Sequence, residues 1–295
     1  SDHRNANHSL RRSGSCPICF KEKKLLMEGQ TQDCLNALEG QILQGDLTCP
    51  FRGVSINSRT VAEGELFVCI KGDRFDGHDF LANAIEKKVG GIILSDPEKI
   101  PSKPVPSEEG PFVIHVQDTL KALQDLASFQ RKRFPLQVVA VTGTNGKSTT
   151  KEMIASILET KFKTLKTQGN LNNHIGLPLT LLKREPSHEM GVLELGMSSA
   201  GEIKRLAEIA QPDIGVITNI SEGHLVQLKS LKDIQSAKGE LFNALTEEST
   251  AIVNADDPLV LELARSLRAK TVTFGIDQPA DVRASEIENK DNSGF

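Results

Sequence analysis

The sequence predicts an α/β protein, in which a small N-terminal α/β domain precedes a doubly wound, mostly parallel sheet that carries a phosphate-binding loop. Short apolar runs alternate with helical patterns along most of the 295 residues, and a glycine-bounded loop directly follows one of these runs. Prolines cluster between residues 101 and 111, ahead of that loop. Strands that alternate with helices favour a parallel sheet with helices on both faces.

The composition argues against several classes of function. Hydrophobic residues make up 38% of the chain, the formal net charge is -4, and neither Tyr nor Trp is present. Such a chain has no general attraction for nucleic acids or anionic membranes, and base stacking would depend on Phe alone. No apolar run approaches the roughly 20 residues of a membrane-spanning helix. We therefore expect a cytoplasmic protein without a nucleic-acid partner and without membrane insertion.

The first part of the chain predicts an extension and a small domain. Residues 1–26 are polar and lack apolar periodicity, which predicts a disordered extension. Cys16 and Cys19 have the spacing of half a zinc site, but no second pair has finger spacing, so free thiols are favoured. Residues 27–134 are predicted as the N-terminal domain. Its predicted helices cover residues 31–38, residues 79–88 and a segment capped by Asp118, and its predicted strands cover residues 54–56, 66–70, 91–94 and 112–116.

Two polar stretches of this domain follow predicted strands. Ser58 and Arg59 lie in the first stretch, and Asp76 and His78 lie in the second. Open α/β sheets bind ligands beyond the ends of their strands, so these residues are candidates for ligand binding. Solvated turns are the alternative, and the composition of the two stretches alone favours them.

Residues 135–295 are predicted as a central domain in which strands and helices alternate. This alternation is the pattern of a parallel sheet that helices cover on both faces. The predicted strands cover residues 138–141, 191–195, 214–220, 251–254 and 271–274. The predicted helices cover residues 149–159, 175–182, 201–210, 231–245 and 258–269.

The loop after the first of these strands has the pattern of a phosphate-binding site. It reads Gly-Thr-Asn-Gly-Lys-Ser-Thr from Gly143 to Thr149, and Val141 stands where the eight-residue Walker pattern has its first glycine. The glycines let backbone N–H groups turn toward an anion, and the start of a helix favours negative charge. Lys147 is then expected to reach the terminal phosphates of a nucleotide, and Ser148 is expected to hold Mg2+. This combination favours nucleotide binding over an ordinary turn.

Glu194 is a candidate metal ligand on a strand that is apolar on both faces, Val192-Leu193-Glu194-Leu195. Such a strand is central, where an unpaired carboxylate is costly. A salt-bridged core acid and a ligand of Mg2+ are both open, and the neighbouring phosphate loop favours the metal ligand. His224 follows the next predicted strand and is expected at the same edge of the sheet.

Lys238 interrupts the apolar stripe of its predicted helix. Leu231, Ile234, Leu241 and Leu245 lie on one helical face, and Lys238 occupies a position of that same face. A buried lysine has a lowered pKa, and its neutral amine can react with CO2 to form a carbamate, an anionic ligand for a second Mg2+. The alternative is a lysine whose head group extends to solvent. The helical pattern leaves both open.

Several segments of the chain resemble the Mur ligase family, in the order seen in that family. The N-terminal domain also resembles the UDP-sugar-binding domain of the family, and the resemblance extends from about Met27 to Phe295. Gly-Asn-Leu-Asn-Asn and Gly-Met-Ser-Ser-Ala-Gly-Glu-Ile resemble the branch that adds D-Ala-D-Ala. The segments of the central domain are residues 143–149, 169–178, 194–196, 219–224, 237–242 and 254–257.

The resemblance implies a role for each candidate residue. Ser148 and Glu194 would hold one Mg2+, and His224 and a carbamylated Lys238 would hold a second. The residues implied at ATP are Gly143, Thr144, Asn145, Gly146, Lys147, Ser148 and Thr149, with Asn254 near the adenosine. The residues implied at the UDP-muramoyl substrate are Asn170, Asn172 and Asn173 in the central domain and Ser58, Arg59, Asp76 and His78 in the N-terminal domain.

The resemblance also implies a reaction. ATP would phosphorylate the terminal carboxylate of UDP-N-acetylmuramoyl-tripeptide, and the amine of D-Ala-D-Ala would attack the resulting acyl phosphate. Members of the family carry a third, C-terminal domain, so we expect this chain to be a truncated form, and we expect a monomer. The alternatives are another Mur ligase step, such as the diamino-acid-adding type, a folylpolyglutamate-synthetase relative, a P-loop kinase or GTPase, and a binding module without ligase activity.

Overall fold

The structure, a computed structural model, describes residues 27–72, 74–101, 110–222 and 230–287. The predicted extension with Cys16 and Cys19, and the predicted site residue His224, lie outside the described residues. The strands of the described residues form a five-stranded sheet, a seven-stranded sheet and a two-stranded ribbon. No helix in this part of the chain is long and apolar enough to cross a membrane.

The N-terminal half forms the two-stranded ribbon and the five-stranded sheet. Its elements in chain order are β1 (Glu28–Gln30), α1 (Thr31–Ala37), β2 (Gly40–Gln44), β3 (Pro50–Arg52), β4 (Val54–Ser55), β5 (Leu66–Val68), a 3-10 turn (Gly77–Phe80), α2 (Leu81–Glu86), β6 (Gly91–Leu94), a second 3-10 turn (Pro97–Lys99), β7 (Phe112–Val116) and α3 (Thr119–Arg133). The strand order of the sheet is β2-β7-β6-β5-β4, and only the β2–β7 pair among these is antiparallel. Alternate residues of β5 face opposite clusters, because Leu66 and Val68 join one buried cluster and Phe67 joins another.

The C-terminal half forms the seven-stranded sheet. Its elements in chain order are β8 (Gln137–Thr142), α4 (Lys147–Leu158), β9 (Thr164–Lys166), α5 (Gly176–Leu182), β10 (Met190–Glu194), α6 (Glu202–Ala210), β11 (Ile214–Ile217), α7 (Leu231–Asn243), β12 (Thr250–Asn254), α8 (Pro258–Ala264), β13 (Lys270–Gly275) and β14 (Val282–Arg283). The strand order is β14-β13-β12-β11-β8-β10-β9, and every pair is parallel. The predicted α/β fold with a mostly parallel central sheet is confirmed.

Helices cover both faces of the seven-stranded sheet. Val139 and Val141 of β8 belong to the cluster that includes Ile154 and Leu158 of α4. Val138 and other residues of the opposite face belong to the larger cluster that α3, α5, α6, α7 and α8 share. Since all neighbouring strands are parallel, the loops after β8, β10 and β11 leave the same edge of the sheet. Ligands of open α/β sheets bind at this edge.

Helix α3 joins the two sheets. It contacts α1 and β6 in the N-terminal half and α5 and α6 in the C-terminal half. Asp118 caps it as predicted, because its carboxylate accepts the backbone N–H groups of Leu120 and Lys121. Gln124 accepts a hydrogen bond from Arg205 Nε at 2.8 Å and donates one to the His174 carbonyl at 3.2 Å. Helix α3 therefore ties the N-terminal half to helix α6 and to the segment before α5.

The structure differs from the sequence predictions mainly at the ends of elements. The strand predicted over residues 214–220 ends at Ile217, because Thr218 and Asn219 turn to bind the phosphate loop. The helix predicted over residues 258–269 ends at Ala264. The helix predicted over residues 79–88 is a 3-10 turn followed by α2. The sequence analysis missed strands β1, β2, β3, β9 and β14, which are short and partly exposed and therefore have no apolar run.

Candidate active site

The phosphate loop connects β8 to α4 with two glycines in conformations that other residues rarely adopt. Gly143 has a φ of 149° and Gly146 a φ of 77°. A Cβ atom on Gly143 would lie 1.9 Å from Thr218 Oγ1, so the loop and the end of β11 approach each other as closely as a glycine permits. The first N–H groups of α4 have no acceptor within the helix, which leaves them available to an anion.

The segment after β11 holds this loop in place. Thr144 N donates to the Asn219 carbonyl at 2.9 Å, and Asn145 N donates to Asn219 Oδ1 at 3.1 Å. Thr144 Oγ1 also donates to the Ser221 carbonyl at 3.1 Å. The backbone amides of Thr144 and Asn145 are therefore occupied inside the protein, and the amides at the start of α4 remain for a ligand.

Two lysines converge on one carbonyl oxygen of the loop. Lys147 Nζ lies 3.0 Å from the Gly143 carbonyl oxygen, and Lys238 Nζ lies 2.8 Å from the same oxygen. Lys147 also donates to the Thr144 carbonyl at 2.9 Å. Two amines so close together, beside a helix N-terminus, make this point of the sheet edge favourable for anions.

Lys238 is buried on α7, between the apolar neighbours that the helical pattern predicts. It is only 1% exposed, and Ile234 and Leu241 beside it are fully buried. Burial, and secondly the positive charge of Lys147, lowers the pKa of Lys238 to about 7. The alternative in which this head group extends to solvent is wrong.

Glu194 ends strand β10 as a buried carboxylate with neutral partners. It is 2% exposed, and its two oxygens accept hydrogen bonds from Ser148 Oγ at 2.8 Å and Asn172 Nδ2 at 2.7 Å. Its backbone N–H donates to Thr167 Oγ1 at 3.0 Å. Among the described residues no lysine, arginine or histidine forms a salt bridge with Glu194. The salt-bridged core acid of the sequence analysis is therefore wrong for this part of the chain.

The Ser148–Glu194 pair fits one end of a magnesium–nucleotide site. Mg2+ in such sites takes one or two carboxylates together with phosphate oxygens and water, so it does not need a cage of several acidic residues. No cluster of three or more His, Cys, Asp or Glu residues suited to a metal occurs among the described residues. A hydroxyl and a carboxylate oxygen in contact, beside a phosphate-binding loop, are the donors that such an ion uses.

The predicted asparagines form the other side of the site. Asn172 contacts Glu194 through its side chain, and its carbonyl accepts the N–H of Gly196 at 2.8 Å. Asn173 Oδ1 accepts the N–H of Gly176 at 2.8 Å and so holds the start of α5. A cavity of about 370 Å³ opens here, lined by Gly143, Lys147, Asn170, Asn172, Asn173, His174, Leu195, Gly196, Met197, Ser198, Glu202 and Lys238.

The sequence analysis missed part of this lining. His174, Met197, Ser198 and Glu202 were not among its candidates. Glu202 accepts the Ser198 N–H at 2.7 Å and the Ser199 hydroxyl at 2.9 Å, so it holds the turn before α6. The available signal was the Gly201-Glu202 pair at the start of α6, the first helix after the predicted metal ligand Glu194.

The four N-terminal candidates lie on the five-stranded half and are not among the residues that line this cavity. Ser58 is 7% exposed, whereas Arg59 is exposed. His78 is 3% exposed and has both ring nitrogens engaged, at 2.5 Å from Asp76 Oδ1 and at 2.9 Å from the Ser95 N–H that it accepts. Because His78 Nε2 accepts that bond, Nδ1 carries the proton and donates to Asp76. His78 therefore holds Asp76 in place through a hydrogen bond, and neither of its ring nitrogens is free to bind a ligand.

Asp76 keeps a negative charge in this arrangement. Burial alone would raise the pKa of Asp76, but hydrogen bonds from His78 and from Lys99 outweigh it and hold that pKa well below its usual range. Lys99 Nζ lies 3.0 Å from Asp76 Oδ2 and 2.6 Å from Asp79 Oδ1. The loop that carries Asp76 is therefore fixed against the second 3-10 turn.

Asn254, the candidate for the adenosine, lies at the end of β12. Its Nδ2 donates to the Thr218 carbonyl at 2.9 Å, and its Oδ1 accepts the Asp256 N–H at 2.9 Å. Nδ2 thus supports the segment after β11, beside the phosphate loop, and Oδ1 holds the turn that follows β12. Asn254 lies at the same edge of the sheet as the phosphate loop, with both polar side-chain atoms engaged, and its role at the adenosine stays a prediction.

Two family models match the chain. The Mur ligase middle domain matches residues 141–295, and the Mur ligase family catalytic domain matches residues 50–131. The chain belongs to the Mur ligase family. The first match contains every candidate residue of the cavity, and the second contains Ser58, Arg59, Asp76 and His78.

Individual Mur ligases are similar over most of this chain. It is 39% identical to the UDP-N-acetylmuramoyl-tripeptide--D-alanyl-D-alanine ligase of Bacillus subtilis over 85% of the chain and 54% of that protein. The crystal structure of MurF from Acinetobacter baumannii matches with a TM-score of 0.80 and 33% identity, over 90% of this chain and 56% of that one. The MurF ligase of Thermotoga maritima, solved in complex with ADP, matches with a TM-score of 0.67 and 35% identity, over 76% of this chain and 50% of that one. The chain spans about half the length of these relatives.

Proposed function

We propose that the chain is part of an ATP-dependent carbon–nitrogen ligase of peptidoglycan precursor synthesis. The complete enzyme adds D-Ala-D-Ala to UDP-N-acetylmuramoyl-tripeptide, as the names of the similar proteins state for those proteins. The observation that carries the proposal is the buried Glu194 carboxylate, which Ser148 and Asn172 contact at the mouth of the phosphate loop. This contact joins the nucleotide side of the site to the substrate side.

On the nucleotide side, the residues of the loop bind ATP. The first N–H groups of α4 face the phosphates, and Lys147 exchanges the carbonyls of Gly143 and Thr144 for phosphate oxygens. Ser148 and Glu194 would hold Mg2+, which supplies charge neutralisation when bound. Asn254, at the end of β12, supports the segment after β11 that holds the phosphate loop, and residues near Asn254 would make the remaining contacts with the adenosine.

Lys238 supplies the second proposed cation site. Its buried amine, with a pKa of about 7, is partly neutral near neutral pH. The neutral amine attacks CO2, a C–N bond forms, and one proton is released to water, which leaves an anionic carbamate. This carbamate and His224 would hold a second Mg2+ beside the reacting carboxylate.

On the substrate side, the residues orient the muramoyl peptide. Asn170, Asn172 and Asn173 line the cavity next to Glu194 and can donate amide N–H groups to the peptide. We propose residues 27–134 as the domain that binds the UDP-sugar, through Ser58, Arg59 and Asp76 with His78 as support, and residues 135–295 as the ATP-binding domain. The terminal carboxylate of the peptide takes the γ-phosphate, ADP leaves, and the amine displaces phosphate from the acyl phosphate.

The cellular setting follows from these substrates. UDP-linked precursors and ATP are cytoplasmic metabolites, so we propose a cytoplasmic enzyme. We also propose that it acts as a monomer, because all the candidate residues lie within one chain.

The proposal is tested with the complete reading frame that contains this chain. We expect phosphate release from ATP only when UDP-N-acetylmuramoyl-tripeptide and D-Ala-D-Ala are both present, among a panel of amino acids and dipeptides. Lys147→Ala should abolish it. Release that depends on a diamino acid with UDP-muramoyl-dipeptide would instead assign the chain to another step, and no release with any pair would overturn the ligase proposal.

A further inference from the structure

The strongest feature outside the proposed machinery is a second buried lysine, Lys151 on α4. It is 1% exposed, and it does not line the cavity next to Glu194. Its Nζ donates to the Thr167 carbonyl at 2.8 Å and lies 2.7 Å from Glu152 Oε1. A buried ammonium group is costly unless its hydrogen bonds are satisfied, so an apolar side chain would pack here more favourably if packing were the only requirement.

Lys151 binds the segment that leads into the asparagine loop. Thr167 directly follows β9, is fully buried, and donates its N–H to the Val192 carbonyl at 3.1 Å. Its hydroxyl oxygen accepts the N–H of Glu194 at 3.0 Å. Thr167 thus links α4 to Glu194. Its carbonyl accepts a hydrogen bond from Lys151, and its hydroxyl oxygen accepts one from the backbone N–H of Glu194.

This connection closes a ring of contacts around the proposed metal position. Ser148 and Lys151 are three residues apart and lie on neighbouring positions of the same helix. Ser148 contacts the Glu194 side chain at 2.8 Å, and Lys151 reaches the Glu194 backbone through Thr167. Glu194 is therefore held against α4 at two places, at its side chain by Ser148 and at its backbone by Lys151 through Thr167.

We infer that Lys151 is a positioning residue, which sets Glu194 against Ser148 so that the pair can hold the magnesium ion of a bound nucleotide. The inference rests on the proposed function, since it concerns the same nucleotide site. Groups that orient a metal ligand through hydrogen bonds typically change metal affinity by roughly 10- to 100-fold when they are removed. Glu152, the ionic partner of Lys151, is half exposed and contributes only to the outer end of this arrangement.

The test measures ATP binding to the 295-residue chain by calorimetry, with Mg2+ and with Mg2+ removed by a chelator. In Lys151→Met we expect MgATP affinity to fall by roughly 10- to 100-fold, while the affinity for metal-free ATP stays near that of the wild type. Thr167→Val, which removes the acceptor for the Glu194 N–H, should give the same pattern. The double variant should lose no more than the larger single loss. Glu152→Gln is the matched control and should change neither affinity.

Two results would overturn the inference. One is a Lys151→Met chain that keeps the wild-type gain from Mg2+, and the other is an equal loss with and without Mg2+, which indicates a structural role only. If Lys151→Met does not fold, Lys151→Gln, which keeps one shorter N–H donor, replaces it with the same two outcomes. A wild-type chain that binds ATP in neither condition overturns the proposed function as well, so the two failures are distinguishable.

Discussion

At the scale of single residues, the Gly143 carbonyl is the point where the two lysines of the proposed site meet. Lys147 and Lys238 both donate to its oxygen, and the Cα atom lies against Thr218. A bound phosphate would draw Lys147 away from this oxygen and leave Lys238 as its remaining lysine donor. The carbonyl of one glycine thus contacts both lysines of the proposed site.

Gly143→Ala should therefore disrupt the site more than a matched change in the same loop. The new Cβ would lie 1.9 Å from Thr218 Oγ1, and forced overpacking of this kind costs about 1–3 kcal/mol of unfolding free energy. Gly146→Ala is the control, because no atom of the described residues lies within 4 Å of its Cβ position and only the strain of φ at 77° remains. Thermal unfolding and ATP titration should both rank Gly143→Ala as the more damaged variant. Equal damage in the two variants would contradict this account of the loop.

Lys238 should make the stability of the protein depend on pH in a specific direction. Its pKa is about 7 in the folded chain and 10.5 ordinarily, so between these values the unfolded chain binds more protons at this group. The unfolding free energy therefore rises with pH in this window, by up to about 1.4 kcal/mol per pH unit. Lys238→Met should remove this rise.

The measurement is the difference in unfolding free energy between wild type and Lys238→Met, in CO2-free buffer without nucleotide. It should shift in favour of the wild type as the pH increases from about 7 to 10. Lys232→Met removes an exposed lysine from the same helix and serves as the control. If the difference in unfolding free energy stays constant across this pH range, burial does not lower the pKa of Lys238 in the folded chain, and this account is contradicted.

At the scale of elements, the buried strands and their loops could be predicted, and the edges could not. Strands β8 and β10 were predicted because every residue of Met190–Glu194 and nearly every residue of Gln137–Thr142 is buried, which produces continuous apolar runs. Strand β2 is an antiparallel edge in which Gln41 and Leu43 are exposed and no residue is fully buried, so its pattern resembles a loop. The predicted end of β11 was placed too late, because the Thr218 side chain turns away from the strand and donates to the Asn145 carbonyl of the phosphate loop.

The candidate site shows the same division. The Ser148–Glu194 contact could be predicted, because Ser148 follows buried strand β8, Glu194 ends buried strand β10, and a parallel sheet brings the ends of these strands to one edge. The engagement of both His78 ring nitrogens could not be predicted, because it depends on Ser95, which is distant in sequence. Lys151 was missed for a related reason. Its partner Thr167 directly follows the short edge strand β9, and the sequence analysis did not recognise that strand.

Helix α8 gives a test of how one cap supports the loop beside it. Asp257 Oδ1 accepts the N–H groups of Leu259 and Val260, and Oδ2 accepts the Ile220 N–H at 2.7 Å. Asp257→Ala should lower the unfolding free energy by about 0.5–2 kcal/mol, the usual cost of a lost cap, and should also weaken ATP binding through the freed segment after β11.

Asp118→Ala is the matched control for this prediction. Asp118 caps α3 through the N–H groups of Leu120 and Lys121, and no hydrogen bond among the described residues joins its side chain to the phosphate loop. It should lose stability without losing ATP affinity. Chemical denaturation and calorimetric titration measure the two effects separately, and unchanged ATP affinity in Asp257→Ala would contradict the link.

At the scale of the whole molecule, two sheets meet through α3, and the cavity lies on the larger one. The chain spans about half the length of its relatives. Ligation requires the amine within about 3–3.5 Å of the reacting carbon and requires that water be excluded, and domain closure commonly achieves both.

We therefore predict that the purified 295-residue polypeptide binds nucleotide and UDP-muramoyl-tripeptide but forms no product above background. Activity should appear when the remaining length of a complete relative is supplied, either fused to the chain or added as a separate polypeptide. Product formation is measured chromatographically with D-Ala-D-Ala as the acceptor. Ligation by the 295 residues alone, at the rate of the complete enzyme, would contradict the requirement for closure.

The central claim is that the loop from Gly143 to Thr149 binds the phosphates of ATP, and calorimetric titration of MgATP into the chain and into Lys147→Ala tests it most directly. Among the described residues Lys147 donates only to carbonyls of its own loop, so its removal takes no side chain out of the packed core, and the melting temperature should stay within a few degrees of the wild type. The account predicts one binding site in the wild type and no measurable binding in a folded Lys147→Ala chain. Equal MgATP affinity in the two chains would contradict it.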